Sequence, residues 1–355
     1  MISVYRIALT LGAYITIFFL TIFSATADQK PGELAVDKVK GSLSVMVLGS
    51  GGPIATPSGR ASAGYLIFVD GEPRILMDIG GGGFQRLAAS GTNVKDLDIV
   101  LLSHLHIDHT GDLSSVIKTV YFHNRGAGTF RTAPIRIFGP GVNGATFPGT
   151  DILQYPASTE YVDGHYHTEF GLERYLNIFA TAISGGKFDY TIEDFSPDVS
   201  LPVRTILDED GLLIQTQAVI HGPVPSLAFR IEYQGKSIVY SGDTSSKTGN
   251  MINIAEDADL LIYDTAIMDD LPDGPNDGVF FALHTTPSRI GEVAAAAEPE
   301  QLLLSHITPI TEPRLQEVKR LIRAQGYEGR IDAAEDLQVY NLDRRHQPED
   351  DEDDD

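Results

Sequence analysis

The 355-residue chain contains no cysteine. That excludes disulfide bonds, any thiolate metal ligand and lipid attachment through an N-terminal cysteine, and leaves stabilisation to burial. A chain of this length with 42% hydrophobic residues can build a core large enough for that. Positive charge is also scarce, with 26 Lys and Arg against 49 Asp and Glu, for a net charge of −23. No basic arm or patch with interleaved aromatics occurs, so a long nucleic acid is not expected as a partner. Neither a Walker loop nor a G-x-G-x-x-G fingerprint is present. The glycine cluster from Gly49 to Pro53 reads instead as a tight turn after the apolar run Leu43 to Leu48.

Uncharged apolar runs are rare too, and the longest one is informative. Ile7 to Phe23 carries no charge, follows the single cation Arg6, and precedes Ala25-Thr26-Ala27. That order reads as a signal peptide over residues 1–27, cleaved after Ala27, with an uncleaved anchor as its alternative. The expected protein is periplasmic or secreted, with no stable membrane contact after cleavage. At the other end, residues 346–355 carry seven acids and read as a disordered, solvated tail. Residues 28–345 between them form one expected domain.

Within it, apolar stretches alternate with helical or glycine-rich segments. Ala63 to Val69 and Pro73 to Ile79 predict a hairpin across Asp70-Gly71, and Ser226 to Tyr233 with Ser237 to Tyr240 predict another across Gln234-Gly235. Leu97 to Leu102 predicts a strand, with Thr110 near the cap of a following helix and Asp112 in its first turn. Two echoes link the halves: Leu101-Leu-Ser-His104 with Leu303-Leu-Ser-His306, and Ile75-Leu-Met-Asp78 with Val239 to Asp243. Two facing sheets with helices outside and ligands along one shared edge would satisfy this pattern.

The chemistry concentrates in the run Ser103 to Thr110, which reads S-H-L-H-I-D-H-T. Three imidazoles and a carboxylate within six positions, His104, His106, Asp108 and His109, fit a loop wrapped around a metal rather than a strand, where neighbours point to opposite faces. His221, Asp243 and His306 add donors at later strand ends. A nitrogen and oxygen donor set without sulfur suits zinc, with manganese or iron as alternatives. Taken singly, His221 would be a structural histidine after an apolar strand and Asp243 a turn aspartate.

Together with Leu48 to Pro53, Met77 to Gly80, Ser241 to Thr244, His284 to Thr286 and Leu304 to Ile307, these residues resemble the metallo-β-lactamase superfamily, and within it the tRNase Z-like and arylsulfatase-like branch. The resemblance spans about residues 42–342. It implies an α/β fold, the αββα four-layer sandwich, holding two zinc ions. His104, His106 and His221 would hold one ion, Asp108, His109 and His306 the other, and Asp243 would bridge them. Three imidazoles leave a cation open to solvent, and an anionic bridge keeps two cations close enough to share a hydroxide. Asp78 would orient a ligand histidine from behind.

The resemblance also implies that His284, in a segment similar to the branch's H-S-T element, protonates the leaving group, while Asp108 orients the nucleophile or accepts its proton. Near a helix cap, His284 could equally be structural. The companion H-E-A-T-like element departs, reading Tyr263-Asp-Thr-Ala266, so Asp264 would stand one carbon short of the glutamate that orients the histidine. Another departure is Asp78-Ile-Gly-Gly-Gly-Gly83, where the branch carries Asp-x-Gly-Glu-Gly. A third is an acidic insertion over residues 146–200, where the tRNA-binding enzymes carry a basic arm. It holds tyrosines 155, 161, 166, 175 and 190, and reads as a lid or pocket wall, with a homodimer contact as alternative. Its His165 and His167 read as surface residues, and His123 and His346 carry no functional reading.

The expected function is an exported dinuclear zinc hydrolase that cleaves small phosphodiester or sulfate esters through a metal-bridging hydroxide. Lactone or β-lactam opening is the second hydrolytic reading. A non-catalytic metal-binding module and a redox di-iron site are the non-hydrolytic alternatives, the latter poorer in carboxylates than such sites require.

Overall fold

The computed structural model describes residues 33–128, 133–167, 188–271 and 277–342, with residues 131, 169, 171, 172, 174, 175 and 177. The signal peptide expected at 1–27, the acidic tail at 346–355 and part of the insertion lie outside these. Two seven-stranded sheets face each other. The first contains β1 (Leu43–Gly49), β2 (Gly64–Val69), β3 (Glu72–Ile79), β4 (Ile99–Leu101), β5 (Ile135–Pro140), β6 (Tyr190–Phe195) and β14 (Val339–Leu342). The second contains β7 (Arg204–Glu209), β8 (Leu212–His221), β9 (Val224–Tyr233), β10 (Lys236–Tyr240), β11 (Leu260–Asp264), β12 (Gln301–Ser305) and β13 (Arg330–Ala333).

Alternating side chains sort into layers because successive residues of a strand point to opposite faces. Leu43, Val45 and Val47 of β1 meet Ile214, Phe229 and Ile262 between the sheets. Met46 and Leu48 of the same strand face outward. There α1 (Gly83–Ser90) supplies Leu87, and α3 (Leu113–Gly126) supplies Leu113, Val116, Ile117 and Val120. On the far side, α5 (Asn250–Ala255), α7 (Pro287–Ala297) and α8 (Leu315–Arg323) cover the second sheet through Met251, Ile254, Ile290, Val293, Val318 and Ile322. The result is the four-layer αββα sandwich.

The two hairpins form as their turn pairs predict, with Asp70 and Gln234 in the left-handed region ahead of Gly71 and Gly235. Both sheets run antiparallel through three strands (β1–β3 and β8–β10) and parallel through the next three (β4–β6 and β11–β13). Strand β3 therefore corresponds to β10, as the Asp78 and Asp243 echo suggests. The other echo misleads. His104 follows β4, whose counterpart is β11, whereas His306 follows β12, one strand further across the sheet.

Two local expectations also change. Thr110 closes a single turn, α2 (Ile107–Thr110), and Asp112 precedes the next helix, where its carboxylate accepts the Phe84 N–H at 3.0 Å. The insertion over 146–200 is not simply a lid. Its β6 pairs in parallel with β5 as the edge of the first sheet, and α4 (Ser158–Tyr166) buries Val162 and Tyr166 in the outer core. Tyr161 donates to Thr110 Oγ1 at 2.9 Å, which ties this segment to the histidine loop.

Candidate metal centre

All seven expected ligands converge where β4, β8, β10 and β12 end. His104 Nε2 and His106 Nδ1 lie 2.9 Å apart, and His221 Nε2 is 3.4 Å from His106 Nδ1. His104 and His221 are buried, whereas His106 stands at the exposed edge. Burial lowers the basicity of all three, His221 to about 4, so each presents a neutral ring. The His221 Nδ1–H is committed to the Leu283 carbonyl at 2.7 Å, which leaves Nε2 as its donor atom.

Asp108, His109, Asp243 and His306 form the second group. His306 Nε2 lies 3.2 Å from both Asp108 Oδ2 and Asp243 Oδ2. His109 Nε2 is 3.4 Å from Asp108 Oδ2 and 3.5 Å from Asp243 Oδ1. Asp243 Oδ2 is also 3.9 Å from His104 Nε2 and from His221 Nε2, so this carboxylate stands between the two groups. Burial opposes charge on His109 and His306, but the facing carboxylates, Asp243 first, outweigh it and raise both, His306 to about 10. Asp108 and Asp243 are conversely held well below the usual carboxylate range: burial pushes the other way, and the imidazoles of His109 and His306 overcome it.

These residues fit a pair of divalent cations. His109 Nε2 and Asp243 Oδ1 are buried without a hydrogen-bond partner, an expensive condition that a cation at the second group would relieve. The donors are nitrogen and oxygen only, as zinc, manganese or iron accept.

The backbone places these groups under strain. Asp78 sits at a bulge in β3, where the pairing shifts from Gly64–Ile79 to Tyr65–Met77, and its φ is +52°. The bulge aims its carboxylate at His109 Nδ1, 2.8 Å away, and at the Ser103 N–H, also at 2.8 Å. His306 is likewise left-handed, with φ of +55°, directly after β12. Behind it, Gly52 leaves no room for a side chain: a Cβ there would lie 2.7 Å from His306 Cε1.

His284 follows α6 (Asp277–Leu283) and lies beside the second group, with Nδ1 3.9 Å from Asp243 Oδ2. Its Nδ1 is 2.8 Å from Asp264 Oδ2, the partner its sequence context suggests. Thr286, two residues on, caps α7 through the Arg289 N–H. Burial works against charge on His284, and the Asp264 carboxylate raises its basicity despite it. By contrast, His165 lies on α4, bonded to the Tyr161 carbonyl, and His123 accepts the Val94 N–H.

The family follows from two matches. Residues 58–137 match the model of the metallo-beta-lactamase superfamily, and residues 149–307 match the related beta-lactamase superfamily domain. The chain belongs to the metallo-beta-lactamase superfamily. Among superfamily relatives, ribonuclease Z of Mycolicibacterium paratuberculosis is 29% identical over 309 residues, covering 85% of this chain and 99% of the relative. The metallo-beta-lactamase fold protein YhfI from Bacillus subtilis superposes with a TM-score of 0.60 at 23% identity, over 85% of this chain and 99% of its own. Human tRNase Z, short form, superposes with a TM-score of 0.56 at 20% identity, over 84% and 98%. At those identities the two structures speak for the fold.

Sequence reasoning missed several supporting groups of this superfamily site. The Tyr240 hydroxyl donates to Asp78 Oδ2 at 3.0 Å from the opposite sheet. Strand alternation puts Tyr240 on the inner face with Ile238, which was a readable signal. The Leu283 carbonyl behind His221 had none, because no spacing rule links residues 62 apart.

Proposed function

We propose that the chain is a phosphodiester hydrolase that uses two zinc ions, one held by His104, His106 and His221, the other by Asp108, His109 and His306, with Asp243 between them. The observation that carries this reading is His284, held by Asp264 at the edge of the ligand cluster, where a leaving group needs a proton. When bound, such a cation pair lowers the pKa of water and offsets negative charge developing on the ester.

The protein's own residues supply the rest. Asp108 accepts a hydrogen bond from the attacking water and orients it or takes its proton. Asp78 fixes the proton of His109 on Nδ1, and the Leu283 carbonyl does the same for His221. His284 keeps Nδ1–H on Asp264 and delivers a proton from Nε2 to the departing oxygen. That proton matters most for esters with poor leaving groups, which favours phosphodiesters, with sulfate esters next.

Two observations bear on the substrate. The acidic insertion, folded onto the sheet edge, supports a small anionic ester rather than a long polyanion. The ribonuclease Z relatives support RNA as a second reading. Export with cleavage after Ala27 rests on Ile7 to Phe23 and Ala25-Thr26-Ala27, and the mass of protein recovered from the periplasm tests it.

The deciding experiment measures metal content and turnover of an aryl phosphodiester, an alkyl phosphodiester, an aryl sulfate, a lactone and a short RNA. For His284→Ala, loss on the alkyl ester should be about 10²–10⁴-fold, and smaller on the aryl ester. Equal losses on both would remove His284 as the acid. Full metal content with no turnover of any substrate would point to a binding module.

A further inference from the structure

Each buried ligand histidine but one has its own backing group. Ser103 Oγ lies 3.1 Å from His104 Nδ1, Asp78 serves His109, and the Leu283 carbonyl serves His221. His106 offers Nδ1 itself to the cluster and stands at the solvent edge. The exception is the buried His306. Its Nδ1 is without a hydrogen-bond partner, and the atom facing it, 3.3 Å away, is Asp264 Oδ1, which is equally buried and equally unpartnered. The other oxygen of that carboxylate, Oδ2, holds His284 Nδ1 at 2.8 Å. Asp264 ends β11, beside β12, and its register partner Ser305 immediately precedes His306. Strand pairing thus sets one aspartate between two histidines.

We propose that Asp264 is a shared positioning residue, a single carboxylate that sets the tautomer of both the cation ligand His306 and the proton donor His284. The inference rests on the roles proposed above for those two histidines. Their needs are opposite in kind. His306 must present a bare Nε2 toward Asp108 and Asp243, so its proton belongs on Nδ1, aimed at Asp264 Oδ1. His284 must carry a proton on Nε2 to give away and keep Nδ1–H on Asp264 Oδ2. An ionised carboxylate accepts from both at once, because each oxygen is an acceptor.

An amide cannot do both. In Asp264→Asn one position becomes an NH₂ donor. If it faces His306, the ring must accept at Nδ1 and carry its proton on Nε2, where a cation would bind. If it faces His284, that ring must accept at Nδ1 and gives up the proton it keeps there. Cation affinity and leaving-group protonation are therefore linked through one side chain.

Zinc affinities of metal-free wild type, Asp264→Asn and His284→Ala, measured by chelator competition, test the proposal without any turnover. Asp264→Asn should either weaken one of the two zinc sites by about 10–100-fold, the usual effect of losing a ligand's hydrogen-bond partner, or strip the proton from His284 Nδ1, according to which ring the amide nitrogen faces. His284→Ala should keep both affinities at the wild-type value. A second measurement needs no substitution: in zinc-loaded protein carrying ¹⁵N-histidine, NMR should find the His306 proton on Nδ1 and shifted downfield by its hydrogen bond to Asp264. An Asp264→Asn variant with both affinities and the His284 Nδ1 proton intact, or a wild-type His306 Nδ1 proton without a hydrogen-bond shift, would overturn the proposal. The NMR result stands even if Asp264→Asn fails to fold. A protein that bound zinc with these properties but hydrolysed nothing would refute the functional reading alone.

Discussion

Asp78 and His109 are joined by a 2.8 Å hydrogen bond between two fully buried side chains, one on a bulged strand and one in the histidine loop. The same carboxylate accepts from the Ser103 backbone and from Tyr240 of the opposite sheet. It is a hub through which both sheets orient one candidate ligand.

Asp78→Ala should therefore lower zinc affinity at the second group by about 10–100-fold and leave four donors, the Ser103 hydroxyl among them, without their acceptor. Tyr240→Phe removes only one donor and should have the smaller effect. Chelator competition on both variants checks the order. A Tyr240→Phe loss as large as that of Asp78→Ala would mean that the hydroxyl, not the carboxylate, positions His109.

Gly52→Ala should displace His306. The new methyl would meet the ring at 2.7 Å from Cε1 and 2.9 Å from Nδ1, and the ring is buried with little room to retreat. About one bound zinc per chain, rather than two, is expected after gel filtration, with helix and strand content unchanged by circular dichroism. Two retained zinc ions would show that the backbone around residue 52 yields instead.

Removing metal should destabilise the fold. Asp78, Asp108, Asp243 and Asp264 bring four buried carboxylates into one region, and the orphaned His109 Nε2 and Asp243 Oδ1 need a partner. At free zinc about a thousandfold above its dissociation constant, binding would contribute about 4 kcal/mol. Thermal melts with and without chelator should show a higher Tm with metal; coincident melts would contradict a cation-filled site.

Glu312 offers a pH test away from the cluster. It accepts from Arg60 Nε at 2.8 Å and from the Ser58 hydroxyl, which together hold its carboxyl below the usual glutamate value of 4.5 despite opposing burial. Because the folded-state value is the lower one, its contribution is present above about pH 4.5 and fades as the pH falls through the folded value. The stability gap between wild type and Glu312→Gln should be constant near neutrality and narrow below that pH. Denaturant titrations at several pH values measure it, and a gap independent of pH would refute the assignment.

The sequence by itself determined the fold and which residues are candidate ligands. H-x-H-x-D-H is a local pattern, and the chemistry of imidazole and carboxylate depends on residue type. Alternating apolar residues and the Asp70-Gly71 and Gln234-Gly235 turns likewise act over a few positions. Only the tertiary structure decided which strands became neighbours. It shifted His306 one strand away from the position its echo of His104 suggests, joined the insertion to the sheet edge through β6, and set Asp264 between His284 and His306. Tyr240 meets Asp78 across 162 residues, and His306 meets Asp108 across 198. Such contacts depend on sheet order and on the facing of two sheets, and no local periodicity encodes either.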